Sequence, residues 1–498
     1  MKRRDFLKTV AAAASAVAGR SWLGAADPPG GRRPNFVIIF TDDQGYQDVG
    51  CFGSEAIRTP RLDRMAAEGR KLTSFYTQPI CGPARAAIMT GCYPLRVAER
   101  GNVKNTHPVL HEKEITVAEV LKTRGYATAM IGKWDLARHT QTNFHQDLMP
   151  NGQGFDFFFG TPTSNDSVVN LYRNSELIGK KTDMATLTRR YTDEAIGFIR
   201  GNKDRPFLVY LAHTMPHTRL AASEQFLGKS KRGLYGDVIE EIDWNVGRVL
   251  DAVKECGLEK ATYVIFTSDN GPWLIKKAHG GSPGPLRSGK ASTWEGGQRV
   301  PCIVWAPGRV PAGTACDEIA STLDVLPTLA KLAGAEAPSD RVIDGHDISD
   351  LIHGRRGATS PTEAYYYYLY THLQAVRSGK WKLHLPRPEY PPWCRGLHGR
   401  HIDRKDVFEI KEPLLYDLAA DVGETTNVAD KHPDVVSRLL KLTEKAREDI
   451  GDYDRIGKGA RFFDDGPKRP DMNRWKTAGP QSKTKRKPQA GRQRPKGK

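Results

Sequence analysis

Two unbroken apolar stretches that end in acidic residues constrain the fold of this chain most strongly. They are Asn35–Thr41 (NFVIIFT) and Thr262–Ser268 (TYVIFTS). Runs of β-branched and aromatic residues are typical of strands buried on both faces of a parallel sheet. Each run is followed by a pair of oxygen-bearing side chains: Asp42 and Asp43 after the first, Asp269 and Asn270 after the second. Because parallel strands end at one edge of a sheet, we expect the two pairs to meet there.

Helical and strand-like patterns alternate around these two runs. Residues 60–69, 116–125, 187–201 and 236–257 have helical spacing of apolar residues, and residues 206–212 and 300–305 are further strand candidates. After residue 354, stretches 363–370 and 374–385 indicate strands, and 433–448 indicates a helix. The sequence therefore predicts an α/β fold, in which helices sandwich a large mixed, mostly parallel sheet and a smaller C-terminal subdomain has an antiparallel sheet plus helix.

The positive charge of the chain lies mainly at its two ends. The 498 residues include 75 Lys and Arg against 58 Asp and Glu, a net charge of +17. Residues 1–26 carry +4 and residues 467–498 carry +11, which leaves +2 for residues 27–466. A nearly neutral body has no basic stripe for nucleic acid, so the composition excludes that partner.

Both ends also have a distinct composition. Lys2-Arg3-Arg4 precedes a short Ala-rich apolar run, which is typical of a twin-arginine signal peptide over residues 1–26 and too short for a transmembrane anchor. Residues 467–498 have almost no apolar side chains and indicate a disordered basic tail. The expected organisation is therefore a leader (1–26), a catalytic domain (27–354), a C-terminal subdomain (355–466) and a tail (467–498), in a protein exported to the periplasm or beyond.

The acidic strand ends offer oxygen ligands only. Asp42, Asp43, Asp269 and Asn270 would suit Ca²⁺, with Mg²⁺ as the alternative, because hard cations prefer oxygen donors. An isolated Asp-Asp pair is also common in turns and helix caps, so the residues alone leave both interpretations open.

A cysteine in a Pro-Arg frame lies between the two strand ends. Residues 81–91 read CGPARAAIMTG. One further block precedes them, TDDQG at 41–45, and five follow: GKW at 132–134, PH at 216–217, SDNG at 268–271, PLRSGK at 285–290 and EGGQRVP at 295–301. From about residue 35 to about residue 450, this chain resembles the type I sulfatases, which are formylglycine-dependent, arylsulfatase-like members of the alkaline phosphatase superfamily.

The resemblance implies a mechanism. Cys81 would be oxidised to formylglycine (3-oxoalanine) by a formylglycine-generating enzyme, and its hydrate would attack sulfur and then expel sulfate. The divalent metal would be bound by the oxidised Cys81 and by the four oxygen ligands of the strand ends. Arg85 would stabilise the diol, Lys133 and Lys290 the sulfate oxygens, and His217 or Lys290 would protonate the leaving alcohol.

The chain departs from the family at Asp135, where relatives usually have His two residues after the lysine. An aspartate at this position would repel sulfate unless a cation faces it. Three alternatives stay open: Asp135 itself is the base, His139 takes the role, or turnover is lost.

The expected substrate is a sulfated carbohydrate, with aryl sulfates as an alternative. Two other functions remain open, a phosphoester or phosphonate ester hydrolase and a catalytically dead protein that binds sulfated glycans. Outside the pattern, we expect buried thiols at Cys51, Cys92, Cys256, Cys302, Cys316 and Cys394, and a self-packed loop around Trp393, His398 and His401.

Overall fold

The computed structural model describes residues 32–97, 110–137, 146–389, 404–406 and 408–461. The expected leader, the basic tail, His139, Cys394 and the loop residues Trp393, His398 and His401 lie outside the described residues. Within the described ranges, no helix combines the length and apolar character that a membrane crossing needs.

The described strands are given in chain order. They are β1 Asn35–Thr41, β2 Arg70–Leu72, β3 Phe75–Tyr76, β4 Ala127–Lys133, β5 Phe157–Thr161, β6 Leu171–Arg173, β7 Glu176–Gly179, β8 Phe207–Ala212, β9 Thr262–Ser268, β10 Cys302–Trp305, β11 Thr314–Cys316, β12 Ala320–Ser321, β13 Tyr365–Leu369, β14 His372–Ser378, β15 Trp381–His384, β16 Leu414–Asp417, β17 Gly451–Asp452 and β18 Arg455–Ile456.

The described α-helices follow the same convention. They are α1 Pro60–Glu68, α2 Cys81–Thr90, α3 Pro94–Val97, α4 Val117–Lys122, α5 Leu187–Gly201, α6 Leu234–Glu255, α7 Glu295–Gln298, α8 Val325–Leu332, α9 Ser349–Ile352 and α10 Pro433–Asp449.

A ten-stranded sheet forms the centre of the molecule. Its strand order is β11-β2-β10-β9-β1-β8-β4-β5-β6-β7. The five strands from β9 to β5 are parallel to one another, whereas β10 and β6 pair antiparallel at either side of this group. The predicted mixed, mostly parallel sheet is confirmed. Because β9, β1, β8 and β4 run in one direction, their carboxyl ends form one edge of the sheet.

The helices cover both faces of this sheet. Strand β1 alternates between them, with Phe36, Ile38 and Phe40 in one apolar core and Val37 and Ile39 in the other. Helices α2, α4 and α8 contribute to the first core, and α1, α5 and α6 contribute to the second. This double burial explains why β1 is an unbroken apolar run.

Several predicted helices have different bounds in the structure. Helix α4 is shorter than the stretch 116–125. It begins at a capping box, in which the Thr116 side chain accepts a hydrogen bond from the Glu119 amide and the Glu119 carboxylate accepts one from the Thr116 amide. Helix α6 begins two residues earlier than predicted, at Leu234. Its spaced apolar residues face the second core, as the periodicity indicated.

The C-terminal part forms a four-stranded antiparallel sheet in the order β13-β14-β15-β16. The stretch 374–385, which the sequence analysis treated as one strand candidate, consists of β14 and β15 joined at Gly379, whose φ of 56° permits the tight turn. Helix α10 packs its Leu439 and Leu442 into the core of this sheet. The predicted small sheet with a helix is therefore confirmed.

Candidate active site

The two acidic strand ends meet, as the sequence predicted. Thr41 of β1 lies beside Ser268 of β9 in parallel register. The Asp269 amide donates to the Thr41 carbonyl at 3.0 Å, and the Asp43 amide donates to Asp269 Oδ1 at 3.1 Å. Asp43 has a left-handed φ of 65°, which an aspartate tolerates better than most residues. The two loops are therefore joined directly by hydrogen bonds from backbone amides.

Cys81 is the first residue of α2, a helix whose ten residues are all buried. Its Sγ lies 3.4 Å from Asp42 Oδ1 and 3.3 Å from Lys290 Nζ. The thiol thus lies between a carboxylate and an ammonium group at the sheet edge. Burial, together with the charge of Asp42, raises the pKa of the Cys81 thiol well above its usual value.

Arg85 lies one helical turn after Cys81 and is fully buried. One guanidinium nitrogen is 2.9 Å from Asp269 Oδ2, and another donates to the Lys133 carbonyl at 2.8 Å. It also lies 3.6 Å from Asp42 Oδ2. A charge buried this deeply is tolerated because carboxylates and a carbonyl surround it. Arg85 therefore connects α2 to both acidic loops.

Lys133 is the last residue of β4, next to the site. Its Nζ lies 2.7 Å from Asp42 Oδ2 and 3.6 Å from Asp135 Oδ2. The preceding Gly132 has a φ of 109°, and a Cβ there would lie 1.8 Å from the Ala212 carbonyl oxygen. Only glycine allows β4 to approach β8 this closely. The close approach brings Lys133 beside the end of β1.

Lys290 reaches the site from the loop before α7. Its Nζ lies 2.5 Å from Asp43 Oδ1, an oxygen that also accepts a 2.7 Å hydrogen bond from Asn270 Nδ2. Burial opposes its charge, but Asp43 and the other acidic groups outweigh burial and raise the pKa of Lys290 above its usual value. The side chain is therefore a permanently charged group beside the thiol.

His217 is a buried residue beside Asp43. Its Nε2 is 3.7 Å from Asp43 Oδ2 and 3.7 Å from Asp166 Oδ1. The imidazole ring is 5.3 Å from the Trp273 ring. Burial and the charge of Lys290 lower the pKa of His217 below its usual value. The sequence analysis missed Asp166 and Trp273, because neither lies within one of the matching blocks.

The candidate metal ligands suit a divalent cation. Ligand atoms of Asp42, Asp43, Cys81 and His217 all lie within 4.8 Å of one another. Among the described residues, buried Asp43 Oδ2 and Asn270 Oδ1 have no hydrogen-bond partner. Unpartnered buried oxygens of this kind indicate a missing ligand. His217, which the sequence analysis assigned only to proton transfer, therefore also lies next to the cation ligands.

The pKa values of the neighbouring carboxyl groups of Asp42 and Asp269 also indicate a cation site. Burial disfavours the charge on Asp42, but Lys133, His217, Arg85 and Lys290 outweigh it and hold the Asp42 pKa far below its usual range. Burial and the neighbouring Asp42 raise the pKa of Asp269 to about 7. The cations of the protein thus do not fully neutralise the acids, which a bound dication would do.

Asp135 is buried and has a left-handed φ of 58°. Lys133 Nζ lies 3.6 Å from Asp135 Oδ2. The repulsion between Asp135 and sulfate that the sequence analysis anticipated is thus partly offset by a neighbouring ammonium group. His139, the alternative candidate, lies outside the described residues.

The other described cysteines form no disulfide within the described ranges. Cys92, Cys302 and Cys316 are buried, as predicted, whereas Cys51 and Cys256 are only partly buried. The prediction of buried thiols is therefore wrong for these two, which lie at the margin of the second core rather than inside it.

A buried ionic cluster supports the loop that carries Lys290. Glu295, the first residue of α7, accepts hydrogen bonds from Tyr76 and Tyr367 at 2.7 Å each and from Lys382 at 3.0 Å. Lys382 also lies 2.9 Å from Glu424, which accepts the Glu295 amide at 2.7 Å. The C-terminal sheet is therefore joined to the loop of Lys290 through charges, another feature that the sequence analysis missed.

Comparisons with known proteins agree with this geometry. Residues 34–335 match the family model described as Sulfatase. Residues 360–465 match that of the C-terminal region of aryl-sulfatase, and residues 289–383 match that of N-sulphoglucosamine sulphohydrolase, C-terminal.

Relatives and solved structures cover most of the chain. It is 36% identical to steryl-sulfatase of Mus musculus, with 83% of both proteins covered. It is 35% identical to N-acetylgalactosamine-6-sulfatase of Canis lupus familiaris, with 86% of this chain and 88% of the relative covered. A solved structure from work on glycosaminoglycan metabolism by Bacteroides thetaiotaomicron is 27% identical, with a TM-score of 0.73, and covers 84% of this chain and 99% of its own. The chain belongs to the sulfatase family.

Proposed function

We propose that this protein hydrolyses sulfate esters of carbohydrates, with Cys81 in its oxidised, formylglycine form and a divalent cation. The observation that carries the proposal is the position of Cys81. Its Sγ lies within 3.4 Å of both Asp42 and Lys290, at the point where four oxygen-bearing side chains converge. A nucleophile, a metal centre and an anion-binding ammonium group thereby occupy one site.

The buried thiol is a poor nucleophile in its unmodified form. Because burial raises the pKa of Cys81, the thiol stays protonated at neutral pH, and thiolates rather than thiols attack. An oxidised Cys81 supplies an oxygen nucleophile, and a divalent cation, with Ca²⁺ preferred over Mg²⁺, supplies charge to polarise a sulfate oxygen. The residues that would hold the cation are Asp42, Asp43, Asp269, Asn270 and the oxidised Cys81.

The remaining residues bind and orient the reacting groups. Arg85 is held by Asp269 and by the Lys133 carbonyl, one helical turn after Cys81 on α2, and we assign it to stabilise the nucleophile. Lys133 and Lys290 bear positive charge where sulfate oxygens become more negative in the transition state. Removal of either ammonium group should lower kcat by about 10²–10³-fold, as for other preorganised donors.

His217 and Lys290 are the candidates for protonation of the leaving alcohol. Only the imidazolium form of His217 can give a proton to the leaving alcohol, and its lowered pKa makes that form a stronger acid than an ordinary histidine. Lys290 donates to Asp43 and is less free to release a proton, because its pKa is raised. We therefore favour His217, and the alkaline limb of the pH–rate profile, which reports the group that must be protonated, should be lost in H217N protein.

We propose that Asp135 is a positioning residue for Lys133. Asp135 Oδ2 lies 3.6 Å from Lys133 Nζ, which supports this role over direct removal of a proton from the nucleophile. If Asp135 acts only through Lys133, the D135N variant changes KM and leaves the pKa values of the pH–rate profile in place. A shifted acidic limb in D135N would make Asp135 the base, because a general base loses activity when it is protonated, and a shift seen only in H139A would assign that role to His139.

The proposed substrate class and location draw on the comparisons. One relative is named for N-acetylgalactosamine 6-sulfate and a solved structure comes from work on glycosaminoglycan metabolism, which supports sulfated carbohydrates, while the steryl-sulfatase relative makes sterol sulfates the alternative. We also propose twin-arginine export, a formylglycine-generating enzyme as maturation partner, and a boundary near residue 354 between the catalytic domain and the C-terminal subdomain. Fusion of residues 1–26 to a reporter that needs folded export tests the leader.

The decisive experiment combines modification and turnover. Mass spectrometry of the peptide around residue 81 should find the aldehyde, and the metal-loaded protein should release sulfate from sulfated oligosaccharides, whereas C81A protein should not. An unmodified thiol in active protein would refute the proposed nucleophile. Faster release of phosphate from phosphate esters would favour a phosphoester hydrolase, and glycan binding without any release would favour a binding protein.

A further inference from the structure

The strand end that carries Asp269 continues into a positively charged rim beside the candidate active site. We call it the Trp273 rim, formed by Trp273 and the turn Leu274–His279. Trp273 is buried, with 8% of its surface exposed, and its indole contacts the site through the His217 ring. The Trp273 rim therefore extends from the His217 ring to the solvent-exposed residues 276–279.

Two ammonium groups share the Trp273 indole. Lys290 Nζ lies 4.7 Å from the ring centroid, and Lys276 Nζ lies 4.0 Å from it. Both distances are in the range of cation–π contacts. Because both cations lie on one ring, the distance between the two ammonium groups cannot exceed these two distances added together.

The charges of these two lysines are balanced differently. Lys290 is buried and paired with Asp43 at 2.5 Å. Lys276 and its neighbour Lys277 are exposed, and neither has an ion-pair partner among the residues that the structure describes. An exposed cation held next to a buried one favours the arrival of an anion.

The rim is anchored rather than loose. Arg232 donates to the carbonyls of Ala278 and Gly280 at 3.2 and 2.9 Å, and its guanidinium lies over the Tyr235 ring. The Lys276 amide donates to the Trp273 carbonyl at 3.0 Å. The backbone that carries Lys276 is thus fixed before a ligand binds, which lowers the entropy loss on binding.

An acidic residue also lies beside His217. Asp166, half-exposed, lies 3.7 Å from His217. An anionic substituent next to Asp166 is less favoured than the same substituent next to Lys276. The asymmetry selects both the charge and the orientation of the substrate.

We propose that the Trp273 rim, through Lys276, binds a second anionic group of the same substrate, next to the sulfate that is hydrolysed. That group is a second sulfate or a carboxylate on the same sugar or on its neighbour. This inference rests on the proposed sulfate-ester hydrolysis and narrows its substrate class to polyanionic saccharides. Because the indole is buried beneath Lys276, the recognition is ionic and not by stacking of a sugar on the ring.

Matched substrates test the inference. The probes are 4-nitrophenyl sulfate and its analogues with a ring carboxylate or a ring sulfonate, so that the two kinds of second anion are compared separately. In K276Q protein, the ratio of kcat/KM for a dianionic analogue to that for 4-nitrophenyl sulfate should fall about fivefold, mainly through KM, and the fall should shrink at high salt. K276R should restore the ratio. The matched control is K441Q, an exposed lysine on α10.

Binding measurements give an outcome that does not depend on turnover. C81A protein, with or without K276Q, is titrated with a monosulfated and a disulfated monosaccharide by calorimetry. Selective loss of disulfate affinity in C81A/K276Q supports the rim. Equal ratios in K276Q and K441Q, together with equal affinities, would overturn it. If the wild-type enzyme releases no sulfate from any ester but the binding difference persists, the proposed hydrolysis is refuted and the anion-binding role of the Trp273 rim is supported.

Discussion

Replacement of Lys382 by methionine should destabilise the protein strongly and in a pH-dependent way. Lys382 is fully buried and lies 3.0 Å from Glu295 Oε1 and 2.9 Å from Glu424 Oε1. Methionine keeps most of the apolar contacts of the side chain but leaves two buried carboxylates without their shared cation. Removal of one partner of a buried ion pair costs about 3–5 kcal/mol in unfolding free energy.

The pH dependence follows from Glu424. Burial raises its pKa to about 7 even with Lys382 present, and the pKa should rise further once the ammonium group is gone. A carboxyl group whose folded pKa exceeds its unfolded value stabilises the protein at low pH, and this contribution is lost as pH rises to the folded pKa. In K382M the loss continues above pH 7, by up to about 1.4 kcal/mol per pH unit. The difference from wild type should therefore be larger at pH 9 than at pH 6.

Urea unfolding of the full-length protein at pH 6 and pH 9 measures both effects. The control is K380M on the neighbouring turn, where Lys380 pairs with Asp417 at 2.5 Å but is half-exposed. Such an exposed pair contributes about 0–1 kcal/mol. If K382M had the same unfolding free energy as K380M at both pH values, Lys382 would not be the group that stabilises the buried carboxylates of Glu295 and Glu424.

Three further predictions follow from buried contacts. D48N should lower the unfolding free energy by about 2–4 kcal/mol in thermal melts, because Asp48 accepts from Gly45, Tyr235 and Ser282, and unchanged stability would contradict this network. G132A should separate β4 from β8 and abolish sulfate release, and an active variant would refute the close approach. Chelation followed by a calcium titration should lower and then restore the melting temperature in wild-type protein but not in D43N, and an equal response of D43N would exclude Asp43 as a ligand.

The central sheet could be predicted well because strands buried on both faces appear in the sequence as unbroken apolar runs. The bounds of Asn35–Thr41 and Thr262–Ser268 match the structure. The meeting of Asp42 with Asp269 followed from strand direction alone. The remaining helices and strands shifted at their ends, where local capping, as at Thr116, decides the bounds more than periodicity does.

Tertiary contacts that join distant parts of the chain could not be predicted in this way. Trp273 and Asp166 reach His217 from different loops, and no spacing rule relates them. The Lys382 cluster joins the C-terminal sheet to α7 through charged residues that resemble ordinary surface side chains in sequence. Burial of charge is decided by packing of the two sheets together, which a pattern of single residues does not encode.

The charge balance of the site gives Asp135 a consequence that can be tested by product inhibition. Four buried carboxylates, those of Asp42, Asp43, Asp135 and Asp269, face three cations, those of Arg85, Lys133 and Lys290. The protein alone therefore repels an anion, and a bound divalent cation changes the balance to one net positive charge. D135N removes one further negative charge next to Lys133, so inorganic sulfate should inhibit this variant at lower concentration than it inhibits wild type. The comparison needs D434N as a control, since Asp434 is exposed on α10 and its charge is screened by solvent. Equal sulfate inhibition constants in wild type and D135N would mean that the Asp135 charge does not reach the anion site, and its contact with Lys133 would then be structural only.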